Sequence, residues 1–151
     1  MLQLAQPCDR DAVNALARQV HRLHVAWRPD IYEMAEELFP EERFQEAISA
    51  RELFVAKVGD IVAGYVLLKI RTSEGPGIVP RKVLLLDQIC VEEAYRRHGF
   101  GRQIMEEVKA LGRAFGCTDM RLGVYPQNAA ALALYESAGM KIRSIDYQMK
   151  L

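Results

Sequence analysis

The sequence has few cysteines, and none of them is placed for a disulfide framework or a metal site. The three cysteines among 151 residues are Cys8, Cys90 and Cys117, which lie far apart and form no CxxC pair. No histidine stands at metal-ligand spacing from any of them. We therefore expect buried, reduced thiols in a cytoplasmic protein and no bound metal.

An excess of charge of one sign and long apolar runs are also missing. Twenty basic and twenty acidic side chains cancel to a formal net charge of zero. Without an overall positive field the surface as a whole does not attract nucleic acid or an anionic membrane, so any anion site must be local. The apolar runs are far too short to span a bilayer, and the first residues show no basic region followed by an apolar core. We expect neither a nucleic-acid partner nor a membrane partner.

The length of the chain fits a single domain, residues 1–151. A domain of this size is expected to bury roughly 70% of the surface that its unfolded chain exposes. The spacing of apolar residues predicts strands and helices in the order β-α-α-β-β-β-α-β-α-β, an α/β (α+β) fold with one mixed sheet. Asp9 is expected to cap the first helix and Asn128 the last. Two strands should join at Gly59-Asp60, "SEGPGIVP" should be a loop, and residues 140–151 should form the final strand.

A glycine loop follows the strand "KVLLLDQICV", residues 82–91, and begins a helical pattern. Gly99 and Gly101 leave backbone N–H groups uncovered at the start of that helix, where the helix dipole favours an anion. Basic side chains flank the same point: Arg96, Arg97, His98 and Arg102. This combination predicts a pyrophosphate site.

Two common nucleotide motifs do not fit the loop. A GxGxxG fingerprint needs a third glycine where Ile104 stands, and a P-loop needs GxxxxGK followed by Ser or Thr. The remaining pattern is RxxGxG, from Arg96 to Gly101. By itself it also fits an ordinary strand-to-helix turn with solvated arginines.

A second motif, "NAAALALYESAGM", begins about thirty residues downstream at Asn128. Asn128 and Tyr135 are seven residues, or two helical turns, apart and so project from one side of a helix. With RxxGxG followed by NxxAxxxYxxxGM at this interval, the chain resembles the GNAT superfamily of acyl-CoA-dependent N-acyltransferases. The order of strands and helices matches that family over essentially the full length.

The resemblance implies acetyl-CoA as co-substrate. It implies a bulge in strand 82–91 and separation from the next parallel strand, 119–125, which frees backbone groups for the pantetheine amides; an unbroken strand is the alternative. The backbone of residues 97–102 would hold the pyrophosphate. Asn128 would face the cofactor arm as well as capping its helix, or serve only as a cap. The implied cofactor contacts are Ile89, Val91, Arg96, Arg97, His98, Gly99, Phe100, Gly101, Arg102, Asn128 and Tyr135.

The resemblance also implies catalytic roles. Tyr135 would protonate the departing thiolate, although a tyrosine at this place also fits a core position. An amine of pKa near 10.4 must lose a proton before attack, at roughly 4 to 5 kcal/mol at pH 7, so a base is needed. Asp87 is the candidate, directly or through a water, because an unpaired charge inside a buried strand is costly. The alternative for Asp87 is a carboxylate satisfied by an arginine or by backbone amides.

Acceptor contacts are implied for two regions, residues 21–34 and 71–81. Trp27 and Tyr32 offer aromatic faces to a cation, and Asp87 lies nearby in the implied site; the same aromatic side chains also fit packing of a helix on the sheet. His21 and His24 are one helical turn apart, but no further metal ligand is evident.

The leading hypothesis is therefore an N-acetyltransferase that acts by direct attack of an amine on acetyl-CoA. The acceptor is a small molecule, an amino acid or a protein amino group. A non-catalytic acyl-CoA sensor and a partner-binding domain without cofactor are the alternatives. A homodimer through the final strand at a sheet edge is a further possibility.

Overall fold

The computed structural model describes residues 2–151, which form a mixed α/β fold around one five-stranded sheet. The strands are β1 (Leu2–Leu4), β2 (Leu53–Val58), β3 (Ile61–Gly75), β4 (Ile78–Val91) and β5 (Asp119–Arg121). The α-helices are α1 (Arg10–Trp27), α2 (Glu41–Ser49), α3 (Phe100–Ala114) and α4 (Ala129–Ser137). The strands lie side by side in chain order, antiparallel except for the parallel pair β4 and β5. The predicted fold class is confirmed.

The sheet separates two apolar cores. On one face α1 and α2 cover the sheet, with Leu16 and Phe44 fully buried beside Tyr65. On the other face α3 places Ile104 and Val108 in the second core, and α4 packs at its margin. Each helix buries one side because its apolar residues recur at three- and four-residue intervals. The site described below lies where β4 passes between these two layers.

The first helix begins directly after Asp9, as its sequence predicts, but its start is held differently. α1 stops at Trp27, two residues before Pro29, which cannot continue a helix. Asp9 stands at the N-cap position but makes no capping bond. Its buried carboxylate accepts a hydrogen bond from the Gln6 backbone N–H and pairs with Lys57 Nζ at 2.8 Å. Asp9 therefore ties the helix start to β2, and its predicted capping bond is absent.

A buried amide fixes the connection between α1 and α2. The Asn14 side chain donates to the Phe39 carbonyl at 3.0 Å and accepts from the Phe39 N–H at 2.8 Å. Asn14 is 4% exposed, so water does not replace these bonds. This contact anchors the end of the connection that carries Tyr32.

We expect Asn14→Ala to lower the free energy of unfolding by about 2 to 3 kcal/mol, because it leaves two buried backbone groups of Phe39 unpaired. Denaturant titration measures the change. Gln45→Ala is the matched control, since Gln45 bonds only the exposed Glu41 side chain four residues away; it should change stability by less than about 0.5 kcal/mol. Equal effects of the two substitutions would contradict the anchoring role.

Two expectations about loops and thiols are corrected. "SEGPGIVP" is not a long loop: β3 and β4 extend into it as a hairpin, and only Pro76 and Gly77 form the turn. Gly77 has φ of +72°, a backbone conformation that favours glycine. Cys8 is exposed, Cys117 is half-buried and only Cys90 is buried. Burial raises the pKa of the Cys90 thiol to about 12, which keeps it protonated at neutral pH.

The predicted final strand is wrong within the described residues. Residues 141–151 pair with none of the five strands, and every one of them is exposed. The predicted strand over 119–125 is also shorter, since β5 ends at Arg121. Strand assignment needs a hydrogen-bonded neighbour, and neither segment has one in these places.

Candidate active site

β4 carries a bulge at Asp87. Leu86 and Gln88 pair with adjacent residues of β3, Leu68 and Leu67, so that Asp87 has no partner on that strand. An extra residue of this kind bends the strand and interrupts the ladder. The bulge expected in this strand is therefore present.

The parallel pairing of β4 with β5 ends just before the bulge. The last pair is Leu85 with Arg121. β4 then continues to Val91, while residues 122–125 are no longer part of the sheet. The end of β4 thus has an open edge on the side that β5 has left, which is the expected separation of the central parallel strands.

The backbone groups of Ile89 and Val91 point to that open edge. The N–H of Glu92 donates to the Ala63 carbonyl of β3 at 2.8 Å, which fixes the alternation at this end of the strand. In an antiparallel pair, residues that bond the partner alternate with residues whose N–H and C=O point away. Val91 and Ile89, one and three residues before Glu92, are therefore directed away from β3.

Arg96 connects the loop between β4 and α3 to helix α1. Its Nε donates to the Val91 carbonyl at 2.7 Å, and its Nη2 donates to Gln19 Oε1 at 3.0 Å. Gln19 in turn donates to Glu92 Oε2 at 2.8 Å. The Arg96 side chain thus braces the loop against α1, and the group that Val91 leaves free at the open edge is its N–H.

The glycine loop forms the start of α3. Arg97 and Gly99 adopt positive φ angles of +63° and +81°, and both are exposed. The first backbone hydrogen bond of the helix runs from the Gln103 N–H to the Gly99 carbonyl. The N–H groups of residues 100–102 precede it and have no helical acceptor. The loop therefore presents backbone donors at a helix N-terminus with exposed Arg97, His98 and Arg102 around them.

Asn128 and Tyr135 lie at the two ends of α4. Asn128 caps the helix as predicted, because its Oδ1 accepts from the Ala131 N–H at 3.1 Å. Its side-chain NH₂ group is left for another acceptor. Tyr135 is half-buried at the margin of the core that Ile89 and Val91 also border. Burial raises the pKa of the Tyr135 hydroxyl, so the phenol keeps its proton at neutral pH.

Asp87 is less buried than the sequence predicts. Its side chain is 44% exposed and its carboxylate lies 3.5 Å from Lys69 Nζ. The partner is a lysine on β3, where the sequence suggested an arginine or backbone amides. The bulge turns Asp87 out of the regular alternation, which explains how a strand of apolar residues carries an accessible carboxylate.

Aromatic side chains from the end of α1, the α1–α2 connection and the chain that follows β5 meet in one cluster. The Tyr32 and Tyr125 hydroxyls are 2.9 Å apart. The His24 ring lies 5.3 Å from Tyr32, 5.6 Å from Tyr125 and 5.9 Å from Trp27 between ring centroids. We call these four residues the aromatic cluster. It brings together the sequence-predicted Trp27 and Tyr32 and links the α1–α2 connection to the chain that follows β5.

Electrostatics keep the aromatic cluster uncharged. Burial lowers the pKa of His24, and the neighbouring His21 lowers it further, so the imidazole is neutral at pH 7. The hydrogen bond to Tyr125, together with burial, raises the pKa of Tyr32. Arg28 lies over the Tyr125 ring at 5.8 Å and is paired with Asp30.

Sequence reasoning missed Tyr125 and the ring contacts of His24 with Trp27, Tyr32 and Tyr125. A signal was available for Tyr125, because it follows the carboxyl end of a parallel strand, where open α/β sheets bind ligands. The second expected acceptor region, residues 71–81, contains the turn of the hairpin between β3 and β4. About ten residues of extended chain separate Asp87 from the hairpin turn at Gly77, or about 30 Å.

The described residues form neither a cluster of metal-ligating side chains nor a membrane-spanning helix. Within residues 2–151 no group of three or more His, Cys, Asp or Glu side chains is arranged to hold a metal ion. Among the same residues, no helix is both long and apolar enough to cross a membrane.

A sheet whose parallel strands separate beside a glycine-rich helix N-terminus is the architecture of a CoA-dependent acyltransferase fold. Residues 18–140 match the Acetyltransferase (GNAT) family. The chain belongs to this family.

Curated relatives of the chain are named as N-acetyltransferases. The chain is 30% identical over 107 residues to an uncharacterized N-acetyltransferase, YvbK, of Bacillus subtilis. The aligned residues make up 70% of this chain and 63% of that protein. The chain is 32% identical over 81 residues to a thialysine N-epsilon-acetyltransferase of Bos taurus, over 54% of this chain and 45% of that one. The chain thus spans less than two thirds of the length of either relative.

Solved structures share the whole fold. A Bacillus halodurans protein, BH1408, superposes with a TM-score of 0.93 at 28% identity, over 100% of this chain and 99% of that chain. The aminoglycoside N-acetyltransferase AAC(6')-Iy in complex with CoA superposes with a TM-score of 0.71 at 18% identity, over 100% of both chains. At 18% identity, the comparison with the aminoglycoside N-acetyltransferase shows a shared fold and nothing more.

Proposed function

We propose that the protein is an N-acetyltransferase that moves the acetyl group of acetyl-CoA to the primary amine of a small molecule. The observation that carries this proposal is the open edge of β4 beside the α3 N-terminus, with Tyr135 at the margin of the same core. Backbone donors for an extended amide-bearing ligand and for an anion thus occur next to each other. Such a pair of subsites suits a molecule with a pantetheine arm and a pyrophosphate.

Acetyl-CoA fits the residues as a substrate. The N–H groups of residues 100–102 and the positive end of α3 would hold the pyrophosphate, with Arg97, His98 and Arg102 nearby. The free backbone groups of Ile89 and the Val91 N–H would bond the pantetheine amides. Asn128 would contribute its NH₂ group from the start of α4.

The acceptor would enter from the α1 side, at the aromatic cluster. Aromatic rings and a neutral imidazole do not repel an ammonium group, and ring faces attract one. The relative from Bos taurus is named for thialysine and the structural neighbour for aminoglycosides, which are small molecules that carry amines. These names support a small-molecule amine over a protein amino group.

The chemistry then assigns roles to three residues. Asp87, directly or through a water, would take the proton of the ammonium group, and the free amine would attack the thioester carbonyl. A backbone N–H at the open edge, from Ile89 or Val91, would donate to the carbonyl oxygen as negative charge develops. The new C–N bond forms, and the nitrogen loses its second proton to water. The C–S bond breaks, and Tyr135 would donate its proton to the sulfur that leaves and regain one from water.

We expect Asp87→Asn to reduce kcat/KM at pH 7 by about 100-fold and to leave the Kd for acetyl-CoA unchanged. The deficit should shrink toward pH 10, where the amine loses its proton without help. Initial rates from pH 6 to 10 measure both effects.

Lys69→Met is the matched control for Asp87→Asn. It removes the same ion pair, which at this exposure contributes at most about 1 kcal/mol, but leaves the carboxylate in place. We expect it to retain activity. If neither substitution lowers the rate, the Asp87 carboxylate has no part in catalysis and serves only in the surface ion pair with Lys69.

The proposed function is tested by two measurements on the full chain. Calorimetric titration with acetyl-CoA should give binding at micromolar concentration or tighter. A panel of small amines, with free thiol as readout, should then reveal turnover that depends on the amine. Tight binding without turnover of any amine would indicate an acyl-CoA sensor, and absence of binding by the folded protein would rule out both functions.

A further inference from the structure

The bulge in β4 places two consecutive polar side chains on one face of the sheet. Gln88 pairs with Leu67 of β3, and the two residues of such a pair project from the same face. Leu67 belongs to the core that α1 and α2 cover. Lys69 lies two residues further along β3 and faces the same way, and its Nζ is 3.5 Å from the Asp87 carboxylate. Asp87 and Gln88 therefore share the face on which α1 packs.

Tyr65 fixes the orientation of the Gln88 amide. The Tyr65 hydroxyl donates to Gln88 Oε1 at 2.8 Å. Tyr65 is 2% exposed, so water does not take the place of this acceptor. If the amide NH₂ group donated to the phenol oxygen instead, the buried O–H would have no acceptor, which is costly. Burial is the main cause that raises the pKa of Tyr65, and the charge of Asp87 adds to it, so the phenol keeps the proton that it donates.

The Nε2 group of Gln88 is left open to solvent by this arrangement. Among residues 2–151 it has no hydrogen-bond partner, and no buried side-chain nitrogen or oxygen in that range lacks one. Since Gln88 is only half-buried, solvent reaches its Nε2. The pairing of β4 with β5 ends at Leu85, so β5 does not flank this part of β4. Two N–H donors of fixed direction thus lie beside the Asp87 carboxylate.

We propose that Gln88 selects the acceptor, and that the acceptor carries an oxygen atom that accepts a hydrogen bond a few bonds away from its amine. This inference rests on the proposed acetyltransferase function. Asp87 takes the proton of the ammonium group, and Gln88 Nε2 donates to the oxygen of the same molecule. Consecutive Cα atoms are about 3.8 Å apart, so about two or three carbon atoms separate the amine from the oxygen. The substrate class is short amino alcohols and amino ethers, in preference to plain alkyl amines.

The preference has a physical cause. An alkyl amine displaces water from the Gln88 N–H groups and leaves them unpaired. A site that bonds a polar group of its substrate rejects the analogue without that group for this reason. The net contribution of one hydrogen bond between neutral groups corresponds to about a tenfold ratio at most.

Two amines of equal size test the proposal on the full chain. 2-Methoxyethylamine and n-butylamine have the same number of non-hydrogen atoms and differ by an ether oxygen in place of a methylene group. With saturating acetyl-CoA and thiol release as readout, we expect kcat/KM of the wild-type protein to be about tenfold higher for the ether amine. We call this quotient the ether preference. A change that acts on both amines equally cancels in it.

Gln88→Glu keeps an acceptor for the Tyr65 hydroxyl but puts a carboxylate oxygen where the N–H donors were. The ether oxygen only accepts hydrogen bonds, so the ether preference should fall about tenfold, to one or below. 3-Amino-1-propanol should remain a substrate of this variant, because its hydroxyl can also donate. Tyr65→Phe keeps the ring but frees the Gln88 amide to rotate, and should lower the ether preference by at least about threefold.

Gln3→Glu is the matched control. It makes the same change at an exposed position of β1, which β2 and β3 separate from β4, and should keep the wild-type ether preference. The same ether preference in Gln88→Glu and Gln3→Glu would overturn the proposal and leave the transferase function standing. An absence of thiol release with every amine would overturn both together.

Discussion

Gly101→Glu should bind acetyl-CoA at least about 100-fold more weakly than the wild-type protein while it stays folded. The new carboxylate would lie in the first turn of α3, where the pyrophosphate is proposed to bind. Two charges 4 to 5 Å apart at an effective dielectric of 20 repel by about 3 to 4 kcal/mol, and 1.4 kcal/mol corresponds to a tenfold change in affinity. Calorimetric titration measures the loss.

The fold should tolerate this substitution. A Cβ atom at Gly101 would lie 3.5 Å from Leu134 Cδ2 and 3.8 Å from Val91 Cγ2, which is ordinary van der Waals contact. An acid in the first turn of a helix is also favourable for the helix dipole. We therefore expect the free energy of unfolding to change by less than about 1 kcal/mol.

Gly101→Gln separates charge from bulk. It has the same shape as the glutamate variant and should retain substantially tighter binding. The difference between the two variants should shrink as salt is added, because salt screens exposed charges. Equal losses in both variants at every salt concentration would show that the loop excludes bulk at Gly101 without holding an anion.

The parts of the site that the sequence predicts well are those set by short-range chemistry. The glycine loop stands between a strand and a helix, and Gly99 does adopt a positive φ at the start of α3. Asn128 caps α4 because its side chain reaches an N–H three residues away. Both features depend on a few neighbouring residues, so a local pattern suffices to find them.

The position and surroundings of Asp87 depend on strand pairing instead. The apolar run around Asp87 predicts a buried acid, whereas the bulge places the carboxylate near Lys69 at the surface. A one-residue change of register decides which side of the sheet a side chain faces. That register is set by β3, some twenty residues earlier in the chain, and a local pattern does not contain it.

The predicted final strand, residues 140–151, shows a different limit. Ile145, Tyr147, Met149 and Leu151 alternate with polar residues, which is typical of a strand. A strand also needs an edge to pair with, and residues 141–151 pair with none of the five strands. The alternation is present whether or not such an edge is available, so the pattern alone does not decide whether the segment forms a strand.

Tyr135→Phe should reduce kcat by about 100-fold and leave the Kd for acetyl-CoA within about twofold of the wild-type value. Burial raises the pKa of Tyr135 above its usual value near 10, so its acidic form persists as the pH rises through neutrality. The hydroxyl is then available as a donor over the whole range from pH 6 to 10. Activity that depends on it should accordingly not decline until the pH exceeds 10.

Tyr95→Phe distinguishes a catalytic hydroxyl from a packed ring. Tyr95 is also partly buried against the second core, on the face of the sheet that α3 covers, and its ring packs on Phe100 at 5.6 Å between centroids. Both substitutions keep the ring and remove one oxygen, so both should preserve thermal stability. We expect only Tyr135→Phe to slow thiol release. If the two variants turn over at the wild-type rate, Tyr135 serves the core alone, and the leaving thiolate must obtain its proton from water.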